Sequence, residues 1–270
     1  MGKMEHLHRI LLMMMDELNR VCEENDIKYT VIGGTMLGAV RHGGFIPWDD
    51  DIDVAMTREN YDAFLQYIDQ FDKRYFVQTN ASDCNYYYGF AKLLLKNTCC
   101  IESGHENTTY KKGIFIDIFP LDNTPSKWYM RKKQKVVNII IQKILRQKMK
   151  IGDSPSWGIG KKIVFKLIAV VSRNLNAQKI YLNLEKNMKM CKTKNAEFLT
   201  SLSGSYGYEK ETLPIELFDE YEKIKFEDRY YMSIKNRETY LRSVYGDYMT
   251  LPPLENRVAH KFFKLDFGSY

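Results

Sequence analysis

No uninterrupted apolar run of about eighteen residues or more occurs in the 270-residue chain, so no transmembrane helix is expected. The N-terminus lacks a basic segment leading into an apolar stretch and a cleavage site, so no secretory leader is expected either. Cysteine is scarce. There are five, an odd number that includes the neighbours Cys99-Cys100, and none falls in the paired spacing of a zinc site. This excludes structural zinc and points to reduced thiols in a reducing compartment, so a cytoplasmic protein is expected. Also missing are a disorder composition and any nucleic-acid-binding motif, and nucleic acid is not expected as a partner. What is present, 44% hydrophobic and 13% aromatic residues, is enough to bury a substantial core in one large domain or a domain with an appendage.

The chemistry concentrates between Tyr29 and Met56. Tyr29-Thr30-Val31-Ile32 is a β-branched, aromatic run of strand type that ends at Gly33-Gly34. Without a Cβ at either glycine, main-chain N–H groups can approach an anion closely, and Thr35 to Arg41 is helix-compatible. A phosphate could therefore sit at a helix N-terminus. After a loop comes Asp51-Ile52-Asp53-Val54, read as a strand whose period of two sends both carboxylates to one face. Two buried like charges resist ionisation, and a hard cation such as Mg²⁺, with Mn²⁺ as a substitute, relieves that conflict through oxygen ligands. The bland alternative is a solvated acidic turn. Ile46, Trp48, Ile52 and Val54 supply an apolar setting that argues against it.

Upstream, Leu7, Ile10, Leu11, Met14, Leu18, Val21 and Cys22 predict one amphipathic helix from about Glu5 to Glu24, with Met13-Met14-Met15 packed into core or interface. Downstream, Thr57 is a candidate N-cap for a helix using Tyr61, Phe64, Leu65 and Ile68. Strands are expected at Tyr75 to Val77, Tyr86 to Leu95 and Ile114 to Phe119. In the last of these Asp117 is a carboxylate in an otherwise apolar strand, either a third member of the acidic site or an Asp bonded to a nearby loop. Lys92 is a charge in another apolar strand, with snorkelling to the surface as the ordinary outcome and phosphate contact as the alternative. From Ser126 to about Asn195, lysines and arginines interleave with aliphatics, which predicts a helical insertion with strong basic faces. A turn after Gly152 then leads to a second basic and apolar segment, Lys161 to Val171. Glu222 to Tyr231 reads as a strand pair and Arg237 to Gly246 as a short helix.

Gly33-Gly34-Thr35, the step Gly38-Ala39-Val40-Arg41, the run from Gly44 through Pro47-Trp48-Asp49-Asp50-Asp51-Ile52-Asp53, and Gly113 to Asp122 together resemble the LicD family of phosphocholine transferases, which is related to the fukutin-type transferases. The C-terminal series Tyr245-Gly246-Asp247-Tyr248-Met249, Leu251-Pro252-Pro253, Arg257 and His260 is similar as well. The likeness thus covers about residues 27–125 and 215–262 and leaves out the basic middle. It implies an α/β (α+β) fold of nucleotidyltransferase type, a mixed sheet flanked by helices with a basic helical insertion. The divisions expected are a catalytic core over 1–125, the insertion over 126–200 and a return to the core over 201–270. It also implies a magnesium-dependent transfer of a phosphorylated small alcohol, phosphocholine first, from a CDP-linked donor such as CDP-choline to a glycan or lipid-linked glycan hydroxyl, with release of CMP.

Under that resemblance Asp51, Asp53 and Asp117 form the catalytic and metal-binding triad. Gly33, Gly34 and Thr35 cradle phosphate, with Arg41, Lys92, Arg257 and His260 as further donor contacts. Nucleotidyl transfer with release of pyrophosphate, or a non-catalytic membrane-surface or glycan-binding protein, stand as the alternatives. The basic insertion is either a set of solvated helix faces or a peripheral contact with an anionic membrane at its inner face. Acceptors built on lipid carriers favour the second.

Overall fold

The computed structural model describes residues 2–152, 168, 170, 172–192 and 196–270. The turn expected after Gly152 and most of the segment Lys161 to Val171 lie outside them. Helix α1 (Lys3–Glu24) carries Leu7, Leu11, Met14, Leu18 and Cys22 as one buried stripe. Met14 and Met15 are fully buried, as expected for the methionine run.

Among the described residues a seven-stranded sheet is built from β1 (Thr30–Val31), β2 (Asp53–Thr57), β3 (Tyr75–Gln78), β4 (Ala91–Leu95), β6 (Ile114–Asn123), β7 (Phe198–Thr200) and β8 (Thr212–Pro214). The order β1-β2-β6-β4-β3 puts β6 at the centre, and β7 pairs with the far end of β6. Only β2 and β6 run parallel; every other pair in this sheet is antiparallel. β6 follows from its residues. Ile114, Ile116 and Ile118 bury one face, and Phe115, Asp117 and Phe119 take the other.

Three strand and helix boundaries differ from expectation. β2 begins at Asp53, not Asp51: its ladder with β6 starts at Asp53 opposite Asp117, and its ladder with β1 one residue later at Val54 opposite Val31. Asp51 therefore precedes the strand, so the two carboxylates do not reach the site through strand alternation. β4 begins at Ala91, not Tyr86: Tyr86, Tyr88 and Phe90 pack as an aromatic cluster with Tyr110 instead of joining the ladder. Helix α2 (Gly33–His42) starts on the glycine pair itself. Thr57 does cap α3 (Arg58–Phe64), accepting from the Asn60 N–H.

Helices α4 (Trp128–Lys148) and α5 (Ala177–Met188) pack together over a small separate core of Leu145, Tyr181, Leu184, Met188 and Leu202. The strands β9 (Tyr221–Phe226) and β10 (Arg229–Ile234) form the expected pair, followed by α6 (Arg237–Tyr245) with Asn236 as N-cap. Sequence patterning did not indicate β5 (Cys99–Glu102), which pairs with β11 (Phe262–Asp266). That pairing ties the C-terminal segment to the edge of the site. No helix among the described residues is long and apolar enough to cross a membrane.

Candidate active site

Three charged side chains lie in one row across neighbouring strands. Asp53 on β2 is opposite Asp117 on β6, and Asp117 is opposite Lys92 on β4. With strands about 4.8 Å apart, this register alone brings the three within reach of one another. Lys92 Nζ is 2.6 Å from Asp117 Oδ1 and lies 3.3 Å from the centre of the Phe115 ring. Every residue of β4 is buried, so this lysine does not snorkel to the surface. It closes on a buried carboxylate instead.

Helix α2 begins against the same acids. Gly33 has φ +55°, a left-handed value that favours glycine, and a Cβ there would lie 3.3 Å from Asp53 Oδ2. At Gly34 a Cβ would overlap Asp49 Oδ2. The glycine pair thus lets the positive end of a helix approach the carboxylates of Asp49 and Asp53. The Gly33 N–H donates to the Tyr240 hydroxyl at 2.8 Å. Thr35 Oγ1 accepts from the Asp53 N–H at 2.9 Å and so fixes the start of β2.

Burial and mutual repulsion act on Asp49, Asp51, Asp53 and Asp117. Asp53 is pushed well above the usual carboxylate range by burial, Asp51, Asp117 and Asp49. Burial raises Asp51 to about 7, with Asp49 adding to the rise and His260 opposing it. Asp49 goes up to about 6 through burial and the Asp50 charge. Asp117 also reaches about 6, because burial outweighs the pull of Lys92.

His260 Nδ1 is 2.7 Å from Asp50 Oδ1 and 3.8 Å from Asp51 Oδ2. Its pKa rises to about 9, chiefly through the Asp50 hydrogen bond. Asp50, Asp51 and His260 each offer a ligand atom within 4.8 Å of one another, a grouping that shares Asp51 with the expected triad. Asp50 Oδ2 is buried without a hydrogen-bond partner among the described residues. Crowded carboxylates whose proton affinities are raised, and one oxygen without a donor, fit a divalent cation; the oxygen-rich donor set suits Mg²⁺ or Mn²⁺.

Arg41 and Arg257 stand apart from the acids. Arg41 lies in the last turn of α2 and donates to the Tyr248 carbonyl at 2.8 Å. Arg257 donates to the Pro252 carbonyl at 2.8 Å and lies over the Trp48 ring. The two guanidinium groups are electrostatic neighbours. His260, three residues from Arg257, is with the acids instead.

A cavity of about 310 Å³ opens beside Asp117, lined by Tyr88, Phe90, Tyr110 and Glu102, and by Gln142 and Arg146 of α4. Sequence reasoning missed Asp49, Asp50 and Glu102. The density of acids from Asp49 to Asp53 was a signal for the first two; Glu102 had none, because its place depends on the β5–β11 pairing.

The mixed sheet sets Asp53 and Asp117 at the junction of its two parallel strands, facing a helix that starts on glycines. Residues 26–142 match the LicD/FKTN/FKRP nucleotidyltransferase domain, the family whose motifs the sequence resembles. It is 29% identical over 256 residues to the lipopolysaccharide cholinephosphotransferase LicD of Haemophilus influenzae, covering 93% of each chain. An uncharacterised protein of Rickettsia prowazekii is 40% identical over 119 residues, 44% of this chain and 41% of that one. A 40-residue stretch, 15% of this chain, is 45% identical to the human ribitol 5-phosphate transferase FKRP, of which it covers 8%.

Proposed function

We propose that this protein transfers a phosphorylated small alcohol, phosphocholine first, from a CDP-linked donor to a hydroxyl of a cell-surface glycan or its lipid-linked precursor. The crowding of Asp49, Asp51, Asp53 and Asp117 at the start of α2 carries this reading, since such a cluster is stable at neutral pH with a cation among its oxygens. Asp51, Asp53 and Asp117 are the proposed ligands, with Asp50 and His260 adjoining through Asp51. A divalent ion held by these residues would offset the charge of the acids and that of the diphosphate.

Around it the chain's own groups orient the donor. The first turn of α2, from Gly33 to Thr35, receives a phosphate end. Lys92 holds Asp117 in place and adds positive charge beside the transferred group. Arg41 and Arg257, like-charged neighbours each steadied by a carbonyl, keep donors free for an anion and bind the nucleotide side of the donor. In the transfer step the acceptor oxygen bonds to the phosphorus bearing the alcohol. The bond from that phosphorus to the bridging oxygen breaks, CMP leaves, and the hydroxyl proton passes to a carboxylate of the cluster.

Product analysis tests this directly. Incubation with CDP-choline and Mg²⁺ should release CMP, and Asp53→Asn should abolish the release. Consumption of CTP with release of pyrophosphate, and none of CDP-alcohols, would replace this reading with nucleotidyl transfer.

The same reading puts the protein on the cytoplasmic side, in peripheral contact with an anionic leaflet. Helix α4 contains no acidic residue, and Trp128, Tyr129, Val136, Ile139 and Ile140 are exposed on it together with Lys132, Lys133 and Lys143. An apolar face studded only with cations complements an anionic lipid surface.

A further inference from the structure

The loop between β7 and β8 is wrapped round a buried carboxylate. Glu211 Oε1 accepts from the Tyr206 N–H at 2.5 Å and from the Gly207 N–H at 3.2 Å, and the Glu211 N–H donates to the Gly207 carbonyl at 3.1 Å. Glycine is needed at two places. Gly207 has φ +95°, and a Cβ on Gly204 would overlap the Glu211 carboxylate. Burial raises the Glu211 carboxyl to about 7, so keeping it inside costs stability at neutral pH and above. What it secures is the shape of the loop.

That loop delivers one side chain to the acids. A Cβ on Gly33 would lie 3.7 Å from both Cε2 and Oη of Tyr206, and 3.3 Å from Asp53 Oδ2. Tyr206 thus stands over the start of α2 beside Asp53. Its hydroxyl is bonded to that of Tyr245, the last residue of α6, with the ring centres 5.1 Å apart. Two hydroxyls bonded to each other use one of their two hydrogens, and the second is left for an acceptor that arrives. Tyr206 is 40% exposed, which leaves room for one. Burial and the nearby acids raise its pKa to about 12, so the hydroxyl keeps its proton. The Gly33 N–H, the first donor of α2, is already bonded to the Tyr240 hydroxyl. An anion at this helix start gains from a donor supplied by another element, and a hydroxyl supplies it without adding charge.

We propose that Tyr206 contacts substrate, donating its hydroxyl hydrogen to an oxygen of the phosphoryl group received at the start of α2, and that Glu211 is the positioning residue that keeps Tyr206 there. The inference rests on the transfer reading for the molecule that brings the phosphate, and it adds a neutral donor from the β7–β8 loop to the groups that orient it.

Calorimetry on the full chain with pyrophosphate and Mg²⁺ tests it, alongside CMP release from CDP-choline. Tyr206→Phe, which removes only the hydroxyl, should weaken pyrophosphate binding by about tenfold, the scale of one hydrogen bond to a charged group. Glu211→Ala should cause a similar loss. Glu211→Gln, whose amide oxygen can accept from both N–H groups, should bind like wild type, and it keeps the test open where the alanine variant fails to fold. Because Glu211 acts through Tyr206, Glu211→Ala combined with Tyr206→Phe should bind no more weakly than either alone, a coupling that general loosening of the fold would not produce. No binding of pyrophosphate by wild type, or equal binding by wild type and Tyr206→Phe, would overturn the contact. Losses that multiply in the double variant, or a glutamine variant that binds tenfold more weakly than wild type, would remove Glu211 from the positioning role. Pyrophosphate binding that depends on Tyr206, with no CMP released from CDP-choline, upholds the contact and sinks the transfer reading. CMP release with the same kcat and KM in wild type and Tyr206→Phe does the reverse.

Discussion

Lys92 and Asp117 are both largely buried, with their charged atoms 2.6 Å apart. Removing one member of such a pair leaves the other charge uncompensated and ordinarily costs about 3–5 kcal/mol. Here the cost depends on pH. Without the ammonium, Asp117 loses its main stabilising charge and its pKa climbs further above the unfolded value, so at low pH it escapes the penalty by holding a proton. Lys92→Met should therefore lower the melting temperature much more at pH 8 than at pH 5, by several degrees at the higher pH given about 2–4 °C per kcal/mol. Equal losses at both values would mean that the lysine contributes packing alone. The residues of this row were legible as types: a lysine and an aspartate stand out in apolar strands, and Asp51-Ile52-Asp53 stands out in its loop. Their pairing was not, because the register of β4 on β6 joins positions with no local signal. The same holds for Tyr240, whose hydroxyl receives the Gly33 N–H from 207 residues away.

At the scale of elements, α4 is built inside out. Gln134 and Asn138 are buried beside Leu145 and bonded to the main-chain carbonyls of Asn187 and Leu202, while Val136 and Ile140 are each more than half exposed. Hydrophobic periodicity recovers the helix and its basic character, but it gives no sign that Gln134 and Asn138 turn inward. The outward face consequently has apolar area and lysines for a surface to accept. Each lysine near an anionic leaflet contributes about 1 kcal/mol, so Lys132→Glu, Lys133→Glu and Lys143→Glu combined should cut partitioning by tenfold or more. Sedimentation with vesicles of phosphatidylcholine, with and without phosphatidylglycerol, measures it. The wild type should pellet only with the anionic lipid, and Ile139→Ser with Ile140→Ser should weaken that pelleting too. Equal recovery in the supernatant with both vesicle types would show that the face serves something else.

Taken as a whole, the molecule is strained electrostatically at one place, and the strain has a definite sign. Asp49, Asp51 and Asp117, with folded pKa values of about 6 to 7, and Asp53, raised well above the ordinary carboxylate value, hold protons that the unfolded chain releases near pH 4. Glu211, raised to about 7 by burial, adds to them. A group whose folded pKa lies above its unfolded value favours folding while it is protonated in both states, and that advantage is lost as pH rises through the window between the two. His260, raised to about 9, extends the decline from pH 6.5 upward. Metal-free protein should thus melt at a lower temperature at pH 8 than at pH 5.5. Added Mg²⁺ should reverse the trend, giving a larger upward shift at pH 8, since a bound cation raises stability by mass action and competes with protons for the same oxygens. Asp53→Asn removes one of the repelling charges. In the absence of metal at pH 8 it should be more stable than wild type by about 1–3 kcal/mol, while responding little to Mg²⁺ and releasing no CMP. Differential scanning fluorimetry across pH with and without the ion separates the outcomes. If Asp53→Asn were destabilising and still responded fully to Mg²⁺, the carboxylates would not be held together for a cation, and the site would need another account of why so many acids are buried side by side.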